Sequence, residues 1–416
     1  MGVTQLKGEG LVAALDIGTS KVAAIIAEAD TVAAAKVLGV GTSFHRGLHR
    51  GEITDADAVA KAVMEAAIKA ERMAQTAMPP AIVGIPGSFC SSFTARGSAA
   101  IKRPGHRIHA ADVERALDAA AAMAIPPGRR IVDKLIHTYL LDGQRITESP
   151  IGLAGRRLEI DVQFITAPLT ALAELVKCLG QAGVQVDGVA VQCLATARMV
   201  LAPSQIELGV VLVDLGAGQT DIAVFRNGQL DTLACLPVGT DNLARDLSAG
   251  LGIFIEQAEQ LVRELGCTAA LKSLADYCLE EDSPRKVLFE NMQIDLREYN
   301  DVFMARAEEI WQLVQNHISR EGTGGSLPAG VRLVGGGALV PGMAALGEQL
   351  LGMPIDAALP EKLKSLPEAC QSPAYAAAVA LAEDRAKSLI ELQTVSTSKS
   401  ASLDVLWQKV RGWLKS

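Results

Sequence analysis

The sequence predicts a two-lobed α/β protein with a small α+β insertion and an amphipathic C-terminal helix on a flexible linker. Three observations carry that prediction. In residues 207–230, Val210 to Val213 is a strand-like apolar run, Asp214 ends it, and Gly216-Ala217-Gly218 turns the chain. Residues 221–225 then run back as a second strand to a hairpin turn at Asn227-Gly228. Residues 11–26 repeat that grammar around Asp16 and Gly18-Thr19-Ser20-Lys21, roughly 200 residues earlier. Residues 331–338 run a third strand into Gly335-Gly336-Gly337, with Pro341-Gly342 following.

Two such hairpins suggest a duplicated fold that holds a phosphate between them. Glycine turns let backbone N–H groups approach phosphate oxygens, and an aspartate at a strand end can hold a hydrated cation. Three successive glycines let a flat base lie against backbone. One hairpin of this kind is an ordinary turn. Two in this order, followed by a late glycine cluster, form a specific constellation.

Composition sets the bounds. The 416 residues give room for two or more domains, 49% hydrophobic but only 4% aromatic, so the expected core is large and aliphatic. A net charge of −8 argues against nucleic-acid binding, which needs a basic face. The seven cysteines are scattered with no C-x-x-C pair, which reads as reduced thiols in a cytosolic protein. The six histidines show no paired ligand spacing, and Ser20 has no His/Asp context of a nucleophile. Residues 1–10 lack the apolar stretch of a signal peptide. No run reaches the ~20 apolar residues of a spanning helix.

Taken in order, residues 32–40 read as a third strand and 55–77 as an alanine-rich helix broken by Pro79-Pro80. A strand at 81–85 leads into an α+β insertion. Its elements are strands at 93–101, 130–141 and 158–166, a helix at 110–123 and a turn at 152–157. A helix at 169–182, a strand at 184–190 and a helix starting at Gln192 lead to the central hairpin. Beyond it lie residues 230–238, helices at 241–251 and 254–265, a variable, charged region at 271–301, and a long helix at 302–318. Helices at 343–351 and 374–385 close the folded part.

Residues 394–402 then turn Ser/Thr-rich, as a flexible linker does. In the terminal segment, Leu403, Leu406, Trp407, Val410, Trp413 and Leu414 share one helical face, flanked by Lys409, Arg411 and Lys415. That pattern matches an interfacial membrane anchor. Cations near an anionic leaflet add about 1 kcal/mol each.

The segments LVAALDIGTSKVAAIIAE, HRGLHRGEITDADAVAKAVMEAAIKAERMA, ESPIGLAGRRLEIDVQFITAP, VVLVDLGAGQTDIAVF, VRLVGGGALVPGM and LDVLWQKVRGWLKS together resemble the FtsA family of bacterial cell-division actin homologues. The resemblance spans essentially the whole chain. It implies a two-lobed actin-like ATPase fold with ATP and Mg²⁺ in the cleft. It places subdomain 1A at 1–83, 165–200 and 358–385, and a relocated subdomain 1C at 84–164. Subdomain 2A falls at 201–228 and 320–357, 2B at 229–319, the linker at 386–401 and the membrane-targeting helix at 402–416.

Carried over by the same resemblance, Asp16 and Asp214 flank the metal through waters. Gly18, Thr19, Ser20 and Lys21 hold the β-phosphate region, and Gly216, Ala217, Gly218 and Gln219 form the second phosphate turn. Gly335, Gly336 and Gly337 face the adenosine, Glu259 meets the ribose, and Gln192 orients the attacking water. A glutamine is no general base, which fits slow hydrolysis at most. The chain departs from the family pattern at Gln219, where a hydroxyl is usual, and at Val262, where a lysine is usual. The implied partners are the FtsZ C-terminal peptide through 2B, other copies in a filament, later division proteins through 1C, and an anionic membrane. The implied location is the cytoplasmic face of the inner membrane at the septum.

Three other readings share the nucleotide motifs. A sugar- or acetate-type kinase needs a base facing the acceptor hydroxyl, where this chain has Gln192. A PilM-like pilus platform does not account for the linker and amphipathic terminus. An Hsp70-like chaperone needs a β domain for which the residues after Arg385 are too few.

Overall fold

A computed structural model describes residues 10–30, 34–49, 51–146, 148–267, 286–289, 292–319, 326–364 and 366–397. Two five-stranded sheets share one topology. In the first lobe the strands lie in the order Ala34–Phe44, Lys21–Asp30, Leu11–Ile17, Ala81–Ile85, Val186–Val191. In the second the order is Gln229–Leu236, Thr220–Arg226, Val210–Leu215, Val331–Val334, Ile355–Asp356. Each sheet begins with three antiparallel strands and continues with two parallel ones. The duplication read from the two Asp–Gly hairpins is therefore a duplication of the whole sheet.

The hairpins also share their turn. The Gly18 N–H donates to the Lys21 carbonyl at 2.9 Å, and the Gly216 N–H donates to the Gln219 carbonyl at 2.9 Å. Because Leu215 still pairs with Thr220, Asp214 lies inside its strand rather than ending it. Register then sets Asp16 opposite Ala23 and Asp214 opposite Asp221.

Small residues bring the covering helices close. The Ala56–Ala74 helix is capped by Asp55, whose carboxylate accepts the Ala58 N–H at 3.0 Å. It buries Val59, Ala62, Val63, Ala66 and Ala70 on the strand bearing Gly39 and Gly41. A Cβ on either glycine would collide with the backbone at Ala66 or Ala70. The Ala376–Thr397 helix crosses the first sheet with Ala376, Ala378, Val379, Ala380, Leu381 and Ala382 all buried. An aliphatic, aromatic-poor composition is what such close packing requires.

The insertion forms its own antiparallel sheet, in the order Ser91–Ala100, Arg157–Pro168, Arg129–Leu141, Gln144–Ile146. The Ala110–Ala124 helix packs on it, and a separate core is built around Ile108, Leu117, Leu158, Ile160 and Phe164.

Four expectations change. The strand Gln229–Leu236 belongs to the second sheet, so that lobe's core does not stop at residue 228. Asn227 (φ 50°) and Gly228 (φ 78°) make a tight left-handed turn that returns the chain onto its neighbour. Within the region read only as variable and charged, Lys286–Phe289 and Met292–Asp295 pair as a hairpin. The following helix starts at Leu296, capped by Asp295. Its charged first turn masks the apolar spacing, yet Tyr299 is fully buried and stacks on Phe303 at 5.5 Å between centroids. Finally, helix continues through 386–397, which the sequence assigns to the linker, because Ala386 is buried and Leu389 packs on the first-lobe core. The terminal segment 402–416, with its proposed membrane face, lies outside the described residues. Among those described, no helix is long and apolar enough to cross a membrane.

The second lobe is anchored by Trp311, 1% exposed, whose indole N–H donates to the Met343 carbonyl at 3.2 Å. Trp311→Ala is expected to cost about 3–5 kcal/mol in urea denaturation. A loss below ~1 kcal/mol would mean that the site collapses around the missing ring.

Candidate functional site

A cleft of about 1350 Å³ opens between the two sheets, bounded by both hairpin turns and by the Gly335-Gly336 backbone. On the first-lobe wall stand Asp16, Gly18, Thr19, Ser20, Lys21 and Gln192. On the second stand Asp214, Gly216, Ala217, Gln219 and Glu259. Residues distant in sequence are thus brought to one surface because equivalent ends of two equivalent sheets face each other.

Two predicted contacts prove to be structural. Gly218 does not line the cleft. A Cβ there would sit 2.6 Å from the Thr19 methyl, so the residue lets the two turns touch. Gly337 is likewise buried, with no room for a Cβ beside the Leu215 side chain. Gly335, by contrast, lines the cleft with φ +85°, in close approach to the Asp214 carboxylate and the Leu215 carbonyl.

The electrostatics are dominated by carboxylates. Burial pushes Asp214 up to about 8, with Asp221 and Asp16 adding repulsion and Lys21 opposing. Burial raises Asp221 to about 6, against hydrogen bonds from the Cys235 thiol and the Gly87 N–H. Burial also raises Asp16, against the Lys21 charge and an amide hydrogen bond donated by Gln192. The Lys21 ammonium, lowered by burial and supported by Asp16 and Asp214, donates to the Ala374 carbonyl at 2.7 Å and sits 3.9 Å from the centre of the Tyr375 ring.

This donor set fits a hydrated divalent cation. Mg²⁺ keeps most of its waters and takes one or two carboxylates, with phosphate oxygens completing the shell. Among the described residues no group of three or more His, Cys, Asp or Glu is placed to grip a metal directly. Gln192 reaches Asp16 with its amide nitrogen, which leaves its oxygen and its second N–H to orient a water.

Glu259 stands at the mouth, where the Arg46 guanidinium reaches it at 3.4 Å and Glu256 at 3.9 Å from the other lobe. Val262 and Arg263 line the same wall. Sequence reading missed Asp221, Arg46, Ser88 and Tyr375. Asp221 alone was accessible in principle. Closing the turn between Leu215 and Thr220 dictates that the next outward pair is Asp214 with Asp221.

Comparison with known proteins sharpens the picture. The family model described as "Cell division protein FtsA" matches residues 211–380, and "SHS2 domain inserted in FTSA" matches residues 87–166. The cell division protein FtsA of Pseudomonas aeruginosa is 32% identical over 376 residues, covering 89% of this chain and 88% of that protein. The chain belongs to the FtsA family. Its Bacillus subtilis relative is 32% identical, covering 82% of this chain and 77% of that protein. The Escherichia coli K12 relative is 27% identical with 97% of each covered.

Among solved structures, a PilM–PilN type IV pilus biogenesis complex aligns with a TM-score of 0.58 at 16% identity, covering 90% of this chain and 98% of that one. The MreB5 protein of Spiroplasma citri bound to AMPPNP aligns at 0.50 and 13%, covering 92% and 99%. These likenesses establish the two-lobed actin-like fold of this FtsA-family chain.

The carboxylates make the chain's stability depend on pH. The folded state keeps a proton on Asp214 up to about 8, whereas an unfolded aspartate loses it near 3.8. The stabilising contribution is therefore full below about 4 and is lost as pH rises through 8. In nucleotide-free EDTA buffer, Asp214→Asn is expected to melt higher than wild type at pH 8, with the gap closing toward pH 4. Equal melting temperatures in calorimetry at pH 8 would contradict this.

Proposed function

We propose that this FtsA-family chain binds ATP with Mg²⁺ in the cleft, hydrolyses it slowly at most, and polymerises on the cytoplasmic face of the cell membrane. There it tethers FtsZ filaments by their C-terminal peptide through the 2B region and recruits later division proteins through the inserted subdomain. The observation that carries the reading is the meeting of Asp16, Asp214 and both glycine turns in one cleft, in a chain of this family. Asp16 and Asp214 would hold the cation through waters, and the cation would neutralise the phosphates. Lys21 lies within the same wall to pair with phosphate oxygen. Gln192 stands where a kinase of this fold would place a carboxylate base, which supports slow turnover and disfavours a kinase.

Membrane attachment rests on Leu403, Leu406, Trp407, Val410, Trp413 and Leu414 with Lys409, Arg411 and Lys415. One amphipathic helix binds weakly, and many copies along a filament bind far better.

Asp214→Ala should raise the Kd for Mg-ATP by roughly tenfold or more in isothermal titration. Unchanged affinity would remove Asp214 from the metal site. For the tether, co-sedimentation with phosphatidylglycerol-containing vesicles compares the full chain, Trp407→Glu and a chain ending at Thr397, each with and without Mg-ATP. Only the full chain should pellet with lipid. Pelleting of the shortened chain would mean that another surface binds the membrane.

A further inference from the structure

Besides the turn-to-turn contact, the second hairpin sends two side chains across to the first lobe. Asp221 accepts the Gly87 N–H at 3.1 Å. Gln219, two residues before it, donates from Nε2 to the Ser88 hydroxyl at 3.2 Å. Both land where the first lobe has a glycine. A Cβ on Gly51 would lie 2.6 Å from Gln219 Nε2 and 2.8 Å from Ser88 Oγ, and Gly51 has φ +84°. A Cβ on Gly87 would lie 2.5 Å from Asp221 Oδ1. Each glycine thus leaves a slot that a second-lobe side chain occupies.

The two tongues differ in burden. Asp221 belongs to the carboxylate cluster and meets a backbone amide deep in the cleft. Gln219 is neutral, lines the cleft and contacts a side chain nearer the surface. Its counterpart in the first hairpin, Lys21, turns instead toward Ala374 within its own lobe. The glutamine amide therefore spans the two lobes without adding charge to the phosphate region.

We propose that Gln219 is a positioning residue that latches the second lobe to Ser88 over Gly51 and so sets how fast nucleotide enters and leaves the cleft. The proposal rests on the nucleotide-binding reading above. The contact is direct, side chain to side chain. If the lobes must part at this point for passage in either direction, the latch taxes entry and exit alike. Removing it raises both rate constants and leaves their ratio in place. A side chain that merely touched the nucleotide would do the opposite, raising the exit rate and Kd together.

The test is stopped-flow fluorescence with mant-ATP and Mg²⁺ on the full chain, measuring association directly and dissociation by an ATP chase. Gln219→Ala and Ser88→Ala approach the contact from opposite lobes. Each should raise kon and koff about fivefold, the factor carried by one net hydrogen bond, and Ser88→Ala, off the cleft wall, should leave Kd nearly unchanged. The double variant should add little to either single one. Unchanged rates with mant-ATP still bound would overturn the latch alone. So would a rise in koff matched by Kd, which would make Gln219 a ligand contact, or fully additive effects. Failure of the wild-type chain to bind mant-ATP would overturn the nucleotide reading itself and the latch with it.

Discussion

The structure depends on a crowd of like charges. Asp16, Asp214 and Asp221 meet where the two sheets face each other, and Lys21 is the cation that couples to both Asp16 and Asp214. Carboxylates removed from bulk water repel strongly in a poorly screening environment, and their proton affinity rises in response. The fold keeps them there although burial opposes their charge. A hydrated divalent cation carrying a polyphosphate is the kind of group whose charge and size resolve that conflict.

Holding those carboxylates in place takes a scaffold that can approach closely without side chains in the way. The two sheets do this by a shared plan, an Asp near the end of the first strand and a four-residue turn closed by one backbone hydrogen bond. Glycines then allow turn against turn at Gly218 and turn against strand end at Gly335. The last helix joins in from behind. Just before it, Pro373 accepts the Gly335 N–H at 3.2 Å and Ala374 accepts the Lys21 ammonium. The segment that leads to the C-terminal residues therefore begins at the cleft wall, and its alanine face is part of the first-lobe core.

Legibility in the sequence followed the range of the forces involved. The sheets, the two Asp–Gly hairpins and the alanine helix at 56–74 announce themselves through local periodicity, caps and turns, and they were readable. What was not readable depends on tertiary neighbours. Gly218 and Gly337 look like phosphate-facing glycines, but each is required by one side chain across the fold, Thr19 and Leu215. The charged opening of the Leu296–Ile318 helix hid Tyr299, whose burial is decided by packing against Phe303. The family resemblance placed a linker from residue 386, but Leu389 finds apolar partners and the helix persists to Thr397. Nothing local marks Arg46 or Ser88 as a contact residue; they matter because Glu259 and Gln219 come to them from the other lobe.

The duplication is most informative where it fails. In register, Ala23 of the first hairpin corresponds to Asp221 of the second, and Lys21 to Gln219. The backbone at these positions is equivalent, so the difference cannot come from the scaffold. One copy keeps its cation within its own lobe. The other extends an acid and an amide into slots at Gly87 and Gly51. The two lobes thus have unequal parts, one receiving and one reaching, and these polar contacts lie beside an apolar seam where Leu212, Ala223 and Phe225 of the second sheet join the first-lobe core. Apolar area buried between lobes would resist opening in proportion to its size. Hydrogen bonds at the water-accessible edge of a cleft are exchanged for bonds to water at small net cost. Polar contacts at the cleft edge, beside an apolar seam further in, therefore yield more easily than the seam itself.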